Sequence, residues 1–267
     1  MQKELSLEEI KSIQLDILNQ VTDYCDKNGL CYFLAYGTLL GAVRHKGYIP
    51  WDDDIDIMMP RPDYMQFINS FNKEKSILRV GSHYLDKNYP YVIAKVYNIS
   101  TLCKENIDVE YSIGINIDVF PIDGLPETER EFSKFFRRLN LLRKLFLFKT
   151  ITMSENRSIS KNILLIVGKC LLIWVSLKKI IAKMNALASR IDYSSANFVG
   201  SVVFGDGVQE RTKSSVFKEK IRLEFEEKYF YAPQGYDFWL KNIYGDYMQL
   251  PPEDKRVTHH DYKAYWK

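Results

Sequence analysis

Cysteine is scarce in this chain of 267 residues: four in all, Cys25, Cys31, Cys103 and Cys170. None forms a C-x-x-C pair, and no His/Cys spacing of a structural zinc site is present. No N-terminal signal segment is recognisable, so free, mostly buried thiols in a reducing compartment are expected. Charge of one sign is also lacking. Lys and Arg total 37 against 34 Asp and Glu, a net charge of +3, too little to argue for a nucleic-acid partner. No uninterrupted apolar run reaches the ~20 residues that span a bilayer. The nearest approach, ILLIVGKCLLIWVSLKKII at 163–181, is broken by Lys169. It reads as a buried core helix, as part of an interfacial, basic and aromatic helix pair, or as a true span. Internal repeats, low-complexity segments and linkers are missing too. These absences leave one soluble α/β (α+β) domain over 1–267, with a helical insertion at about 127–190.

What is present centres on LAYGTLLGAVRHKGYIPWDDDIDIMM, residues 34–59. The run 30–35 predicts a buried strand ending at Gly37-Thr38, and 39–43 a short helix. The segment 54–59 predicts a second strand. Alternate side chains share a strand face, so Asp52, Asp54 and Asp56 would point one way, roughly 6.5–7 Å apart per step. Asp53, Ile55 and Ile57 would point the other way, the isoleucines into a core. Carboxylates so placed repel unless they share a hard cation with oxygen ligands. An acidic run can equally be a solvated loop, but this one enters an apolar β-type segment just after a Gly-Thr turn.

Elsewhere, Ser6-Leu7-Glu8-Glu9 is a capping box. Ile10, Ile13, Ile17, Val21 and Tyr24 recur at helical spacing up to Asn28-Gly29. Strands are predicted at 77–84, 91–98 and 113–120, with Pro121 to Gly124 ending the last. Its alternation puts Asp118 opposite Ile113, Ile115, Ile117 and Val119, where it could join Asp54 and Asp56. Helices follow at 63–71, about 127–149 and 160–190. The last eighty residues predict strands at 198–204 and 221–231, the second broken near Glu226-Glu227, and a helix at 236–244.

Three acids on two strands can hold one or two Mg²⁺ (or Mn²⁺) ions for phosphoryl transfer. A Gly-Thr turn before a helix suits a phosphate at backbone N–H groups, with the Thr38 hydroxyl as a further donor. Arg44, His45 and Lys46 lie between that turn and the acids.

YGTLLGAVRHKGYIPWDDDIDI resembles the diagnostic motif of the LicD family, phosphotransferases related to the fukutin-related proteins. KVYNISTLCKE at 95–105, GINIDVFPIDG at 114–124 and YGDYMQLPPEDKRVTHH at 244–260 resemble family blocks in the same order. The resemblance spans nearly the whole chain. It implies a nucleotidyltransferase-like mixed sheet with helical insertions. It also implies transfer of phosphocholine from CDP-choline to a hydroxyl of a cell-surface glycan or teichoic acid precursor. Asp54 and Asp56 match the paired metal acids, Asp118 the third, and Gly37 and Thr38 the Gly-Ser/Thr turn. Asp52 or Asp53 takes a ligand or supporting position. The expected chemistry is in-line displacement, with Asp118 as general base and CMP leaving against Mg²⁺ and Arg44 or Arg256. Arg256 and His259 would bind phosphate at the site's border. Choline asks for aromatic faces, for which Trp51, Tyr36, Tyr48 and Tyr244 are candidates. Another CDP-linked alcohol phosphate (glycerol or ribitol phosphate) or nucleotidyl transfer fits the same acids, and a non-catalytic glycan- or membrane-binding scaffold is the alternative from another class. The expected location is cytoplasmic, peripheral on the cytoplasmic face of the inner membrane, with a lipid-linked acceptor.

Overall fold

The computed structural model describes residues 3–105, 111–152, 158–258 and 262–267. Helix α1 (Leu7–Asn28) starts at the predicted capping box. Ser6 accepts from the Glu9 N–H, the Glu9 side chain accepts from the Ser6 N–H, and Gly29 ends the helix at φ 66°. Its buried stripe includes Ile10, Ile17, Val21 and Tyr24.

Five of the next six strands build a mixed sheet. The elements in order are β1 (Phe33–Leu34), α2 (Tyr36–His45), β2 (Asp56–Pro60), α3 (Arg61–Phe71), β3 (Leu78–Gly81), β4 (Ala94–Asn98), β5 (Thr101–Glu105) and β6 (Asn116–Leu125). The strand order is β1-β2-β6-β4-β3. The β2–β6 pair is parallel and the other neighbours in this path are antiparallel. Ile113, Ile115, Ile117 and Val119 are all buried, as their alternation requires. Fully burying one such side chain contributes about 1.5–3 kcal/mol.

Two expectations shift here. The predicted Gly-Thr turn is instead the first turn of α2, which opens at Tyr36. Strand β6 runs through Pro121 to Leu125 rather than stopping there. Pro121 lies between the stretch paired to β4 and the stretch paired to β7 (Phe198–Gly200), so neither antiparallel partner needs its missing N–H. Arg61 at the head of α3 donates two bonds of 2.6 Å to Asp123 in this extended part of β6. Both side chains are buried, and removing one partner of such a pair destabilises by about 3–5 kcal/mol.

The insertion holds α4 (Glu129–Thr150), α5 (Ile159–Leu171) and α6 (Leu177–Ala188). The predicted second helix is thus two helices. The break falls at 172–176, where Ile173, Trp174 and Val175 are poor helix formers. Only Leu165 of α5 is buried, so the buried core helix reading fails for this segment. Among the described residues, no helix is long and apolar enough to cross a membrane.

Beyond β7 come β8 (Thr212–Lys213), β9 (Lys220–Phe225), β10 (Lys228–Pro233), α7 (Tyr236–Tyr244) and β11 (Tyr262–Trp266). The broken strand is a hairpin: Glu226 and Glu227 both have positive φ, 50° and 61°. Its tip is anchored where the Glu226 N–H donates to the Lys46 carbonyl and its carboxylate accepts from the Tyr48 N–H. The β5–β11 pair was not predicted; it ties the chain's end to its middle, with Ala264 opposite Cys103. The four cysteines are free, and Cys170 is exposed rather than buried.

Candidate active site

The site sits where β2 and β6 run side by side. Their parallel register makes Asp56 and Asp118 direct cross-strand partners. The Asp118 N–H donates to the Ile55 carbonyl at 2.9 Å, which brings the end of the acidic run onto β6. Burial pushes the Asp56 carboxyl well above the usual carboxylate range, and the charges of Asp54, Asp118 and Asp52 add to the shift. Lys95 on β4 opposes it. Its Nζ lies 2.6 Å from Asp118 Oδ1 and 3.1 Å from Asn116 Oδ1. Four carboxylates therefore face one lysine, an imbalance that suits hard divalent cations.

Among the described residues, Asp52, Asp53 and Asp54 form an acidic trio with one carboxylate oxygen of each within 4.8 Å of the others. It adjoins the predicted set of Asp54, Asp56 and Asp118. Strand β2 begins only at Asp56, so Asp52 and Asp54 approach it from the preceding loop rather than along a continuous strand face.

Helix α2 caps this cluster. The Asp56 N–H donates to Thr38 Oγ1 at 2.8 Å, so the threonine oxygen locks the helix head to the start of β2. Thr38 is buried in this role. Gly37 leaves room for an acid: a Cβ there would stand 2.5 Å from Asp52 Oδ2. Tyr36 opens the helix at φ 42°, a conformation that strains a non-glycine residue by about 1–3 kcal/mol. It is held by ring contacts to Phe120 and Trp239, at 4.8 and 5.4 Å between centroids.

Beside the acids lies a cleft of about 580 Å³, lined in part by Gly37, Arg44, Trp51, Asp52, Tyr244 and Lys255. Arg44 donates from Nη1 to the Tyr247 carbonyl at 2.7 Å and from Nε to His45 Nε2 at 2.9 Å. Burial, then Arg256, lowers its pKa. Arg256 stacks 5.6 Å from the Trp51 ring centre and donates to the Pro251 carbonyl. Residues two hundred positions apart in sequence thus share one wall. Of the four aromatic candidates, Trp51 and Tyr244 face the cleft. Tyr36 is buried against other rings, and the Tyr48 hydroxyl donates back to α1, at 3.2 Å from Gln14 Oε1, so neither serves as a cage wall. His259 lies outside the described residues.

Sequence reasoning assigned no role to Lys95, although its place inside the KVYNISTLCKE block was a signal. It also passed over Glu210. This acid is fully buried beside the strained Tyr36 and accepts from the Asp206 N–H at 2.9 Å. Burial pushes it up to about 7. Arg143 of α4 donates to the neighbouring Gly205 carbonyl at 2.7 Å, so the insertion is tied to this edge of the site.

Residues 29–140 match the family described as LicD/FKTN/FKRP, nucleotidyltransferase domain. They include every acid of the cluster. The chain carries a LicD-family domain over these residues. It is 29% identical to the lipopolysaccharide cholinephosphotransferase LicD of Haemophilus influenzae, over 98% of this chain and 99% of that protein. An uncharacterised protein of Rickettsia typhi is 31% identical over 48% of this chain and 40% of its own length. The LicD relationship therefore reaches past the matched domain into the insertion and the C-terminal strands, and the α+β architecture is the one it implied.

Proposed function

We propose that this chain, with its LicD-family domain, is a phosphotransferase that moves phosphocholine from CDP-choline to a hydroxyl of a cell-surface glycan precursor and releases CMP. One observation carries the reading: Asp56, buried on β2, is paired in register with Asp118 on β6 and pressed by Asp54 and Asp52. Clustered, desolvated oxygen donors are unstable together without positive charge, so they fit Mg²⁺ or Mn²⁺. Asp54, Asp56 and Asp118 would hold the ion, with Asp52 beside them. A bound divalent ion supplies charge neutralisation at phosphoryl oxygens and a more acidic hydroxyl.

The chain's own residues supply position and proton transfer. The cleft takes the donor, with its phosphates near the head of α2 and Arg44. Trp51 and Tyr244 offer ring faces, which suit a quaternary ammonium that cannot accept a hydrogen bond. The acceptor hydroxyl attacks the phosphorus that carries choline, and the bond from that phosphorus to CMP breaks. Its proton passes to Asp118, at the carboxylate oxygen that Lys95 does not engage. Arg44 and Arg256 meet the charge on departing CMP. Haemophilus LicD, named for choline phosphate transfer to lipopolysaccharide, supports both the transferred group and a glycan acceptor. A lipid-linked acceptor would place the reaction on the cytoplasmic face of the membrane.

The test is incubation with labelled CDP-choline, Mg²⁺ and a glycan acceptor extract. CMP release with label on the glycan, abolished by EDTA, is expected. Consumption of CDP-glycerol or CDP-ribitol in preference would move the reading to another alcohol phosphate. No turnover of any CDP-alcohol by folded, metal-loaded protein would overturn it.

A further inference from the structure

Helix α5 is arranged like neither a core helix nor a solvent helix. A core helix would bury its apolar side chains, and a solvent helix would not carry them outward. Here Ile163, Leu164, Val167 and Leu171 are 48–77% exposed, and Trp174 in the following turn is 94% exposed. The helix buries Leu165 and rests on α4 through Gly168, whose backbone lies against the Phe148 ring. Lys149 of α4 donates to the Leu172 carbonyl at 3.1 Å, which holds the turn in place. The apolar face is thus built and presented, not left over from a loose end.

Charge names what covers it. Between residues 132 and 190 the chain has thirteen Lys and Arg against one Glu, while the whole chain carries only +3. Lys161, Lys178 and Lys179 flank the exposed apolar residues and are themselves exposed. A protein partner would need matching acids around an apolar seat, whereas anionic lipid offers both at once: negative headgroups above a hydrocarbon edge. At 13 residues α5 is about 20 Å long, too short for a core of about 30 Å, but suited to lying in the interface. Tryptophan prefers that depth.

We infer that α5 and the turn at 172–176 dock the protein flat onto an anionic phospholipid bilayer, with Ile163, Leu164, Leu171 and Trp174 inserted and the surrounding lysines on the headgroups. The inference stands on exposure and charge and needs no catalytic assumption.

Flotation of the full chain with phosphatidylglycerol-containing vesicles and with pure phosphatidylcholine vesicles tests it, without any activity readout. Binding to the anionic vesicles alone is expected, weakened by salt. The variant Leu164→Ser/Leu171→Ser/Trp174→Ser should lose that binding by about tenfold or more, with melting unchanged. Acyl-brominated lipids should quench tryptophan fluorescence in the unaltered chain, which reads the contact even if the variant folds poorly. Absence of flotation at low salt, equal binding to neutral vesicles, or binding without quenching would overturn the inference. So would concentration-dependent dimerisation that the same variant abolishes without any vesicle binding, since the face would then belong to a second copy.

Discussion

Replacing Asp56 by Asn should make the metal-free protein more stable and inactive. Asp56 is buried, and its carboxyl is pushed far up by burial and by Asp54, Asp118 and Asp52. Cross-strand neighbours sit about 5 Å apart, and two like charges at that distance repel by about 3 kcal/mol at an effective dielectric near 20. Lys95 already pairs with Asp118 and offsets part of this. A net relief of about 2–3 kcal/mol remains, which for a chain of this size raises Tm by roughly 5–10 °C. Asparagine keeps the shape and the backbone N–H that Thr38 holds. The sign with pH follows from the raised folded-state pKa: above about pH 4 the unfolded carboxyl loses its proton first, so the wild type loses stability as pH rises. The variant lacks that slope, so its advantage should grow from pH 4 towards neutrality. Differential scanning calorimetry in EDTA, at several pH values, measures it. Added Mg²⁺ should stabilise the wild type and leave the variant nearly unmoved, closing the gap, while CMP release falls by about a thousandfold or more. A variant that melts at or below the wild type in EDTA at pH 8 would refute the electrostatic account. One that melts higher and still turns over would refute the catalytic assignment.

Gly37→Ala should fold with Tm unchanged or slightly raised, because alanine favours the first turn of α2, yet lose about tenfold or more in turnover because its Cβ displaces the Asp52 carboxylate; unaltered kinetics would show that Asp52 has no part in the site. Glu210, buried and raised to about 7, makes the wild type less stable as pH rises from about 4.5 to 7, by on the order of 3 kcal/mol. Glu210→Gln should flatten that segment of the Tm–pH curve, and a curve parallel to the wild type would show that the acid stays ionised throughout.

Much of the site was legible because its signals are local. A period of two along a strand aligns Asp118 opposite three isoleucines and a valine whatever the rest of the chain does, and a capping box needs only four residues to start α1. The hairpin at Glu226-Glu227 was half legible. The interruption showed, but two glutamates in the left-handed region are not turn formers by chemistry, and they hold that shape because Lys46 and Tyr48 bind the tip.

By itself, the sequence determined which carboxylates stand near a Gly-Thr helix start, that the helices of the insertion are basic and apolar, and which family the chain resembles. Only the tertiary structure decided that β2 and β6 lie parallel with Asp56 against Asp118, that Lys95 answers Asp118, that Arg256 meets Trp51 and Arg44, and that α5 faces outward. The physical reason is range. Periodicity and capping are settled by neighbours within one or two turns, whereas strand register, ion pairs across strands and the burial of a helix face depend on which distant segments pack together, and on the whole core that chooses among them.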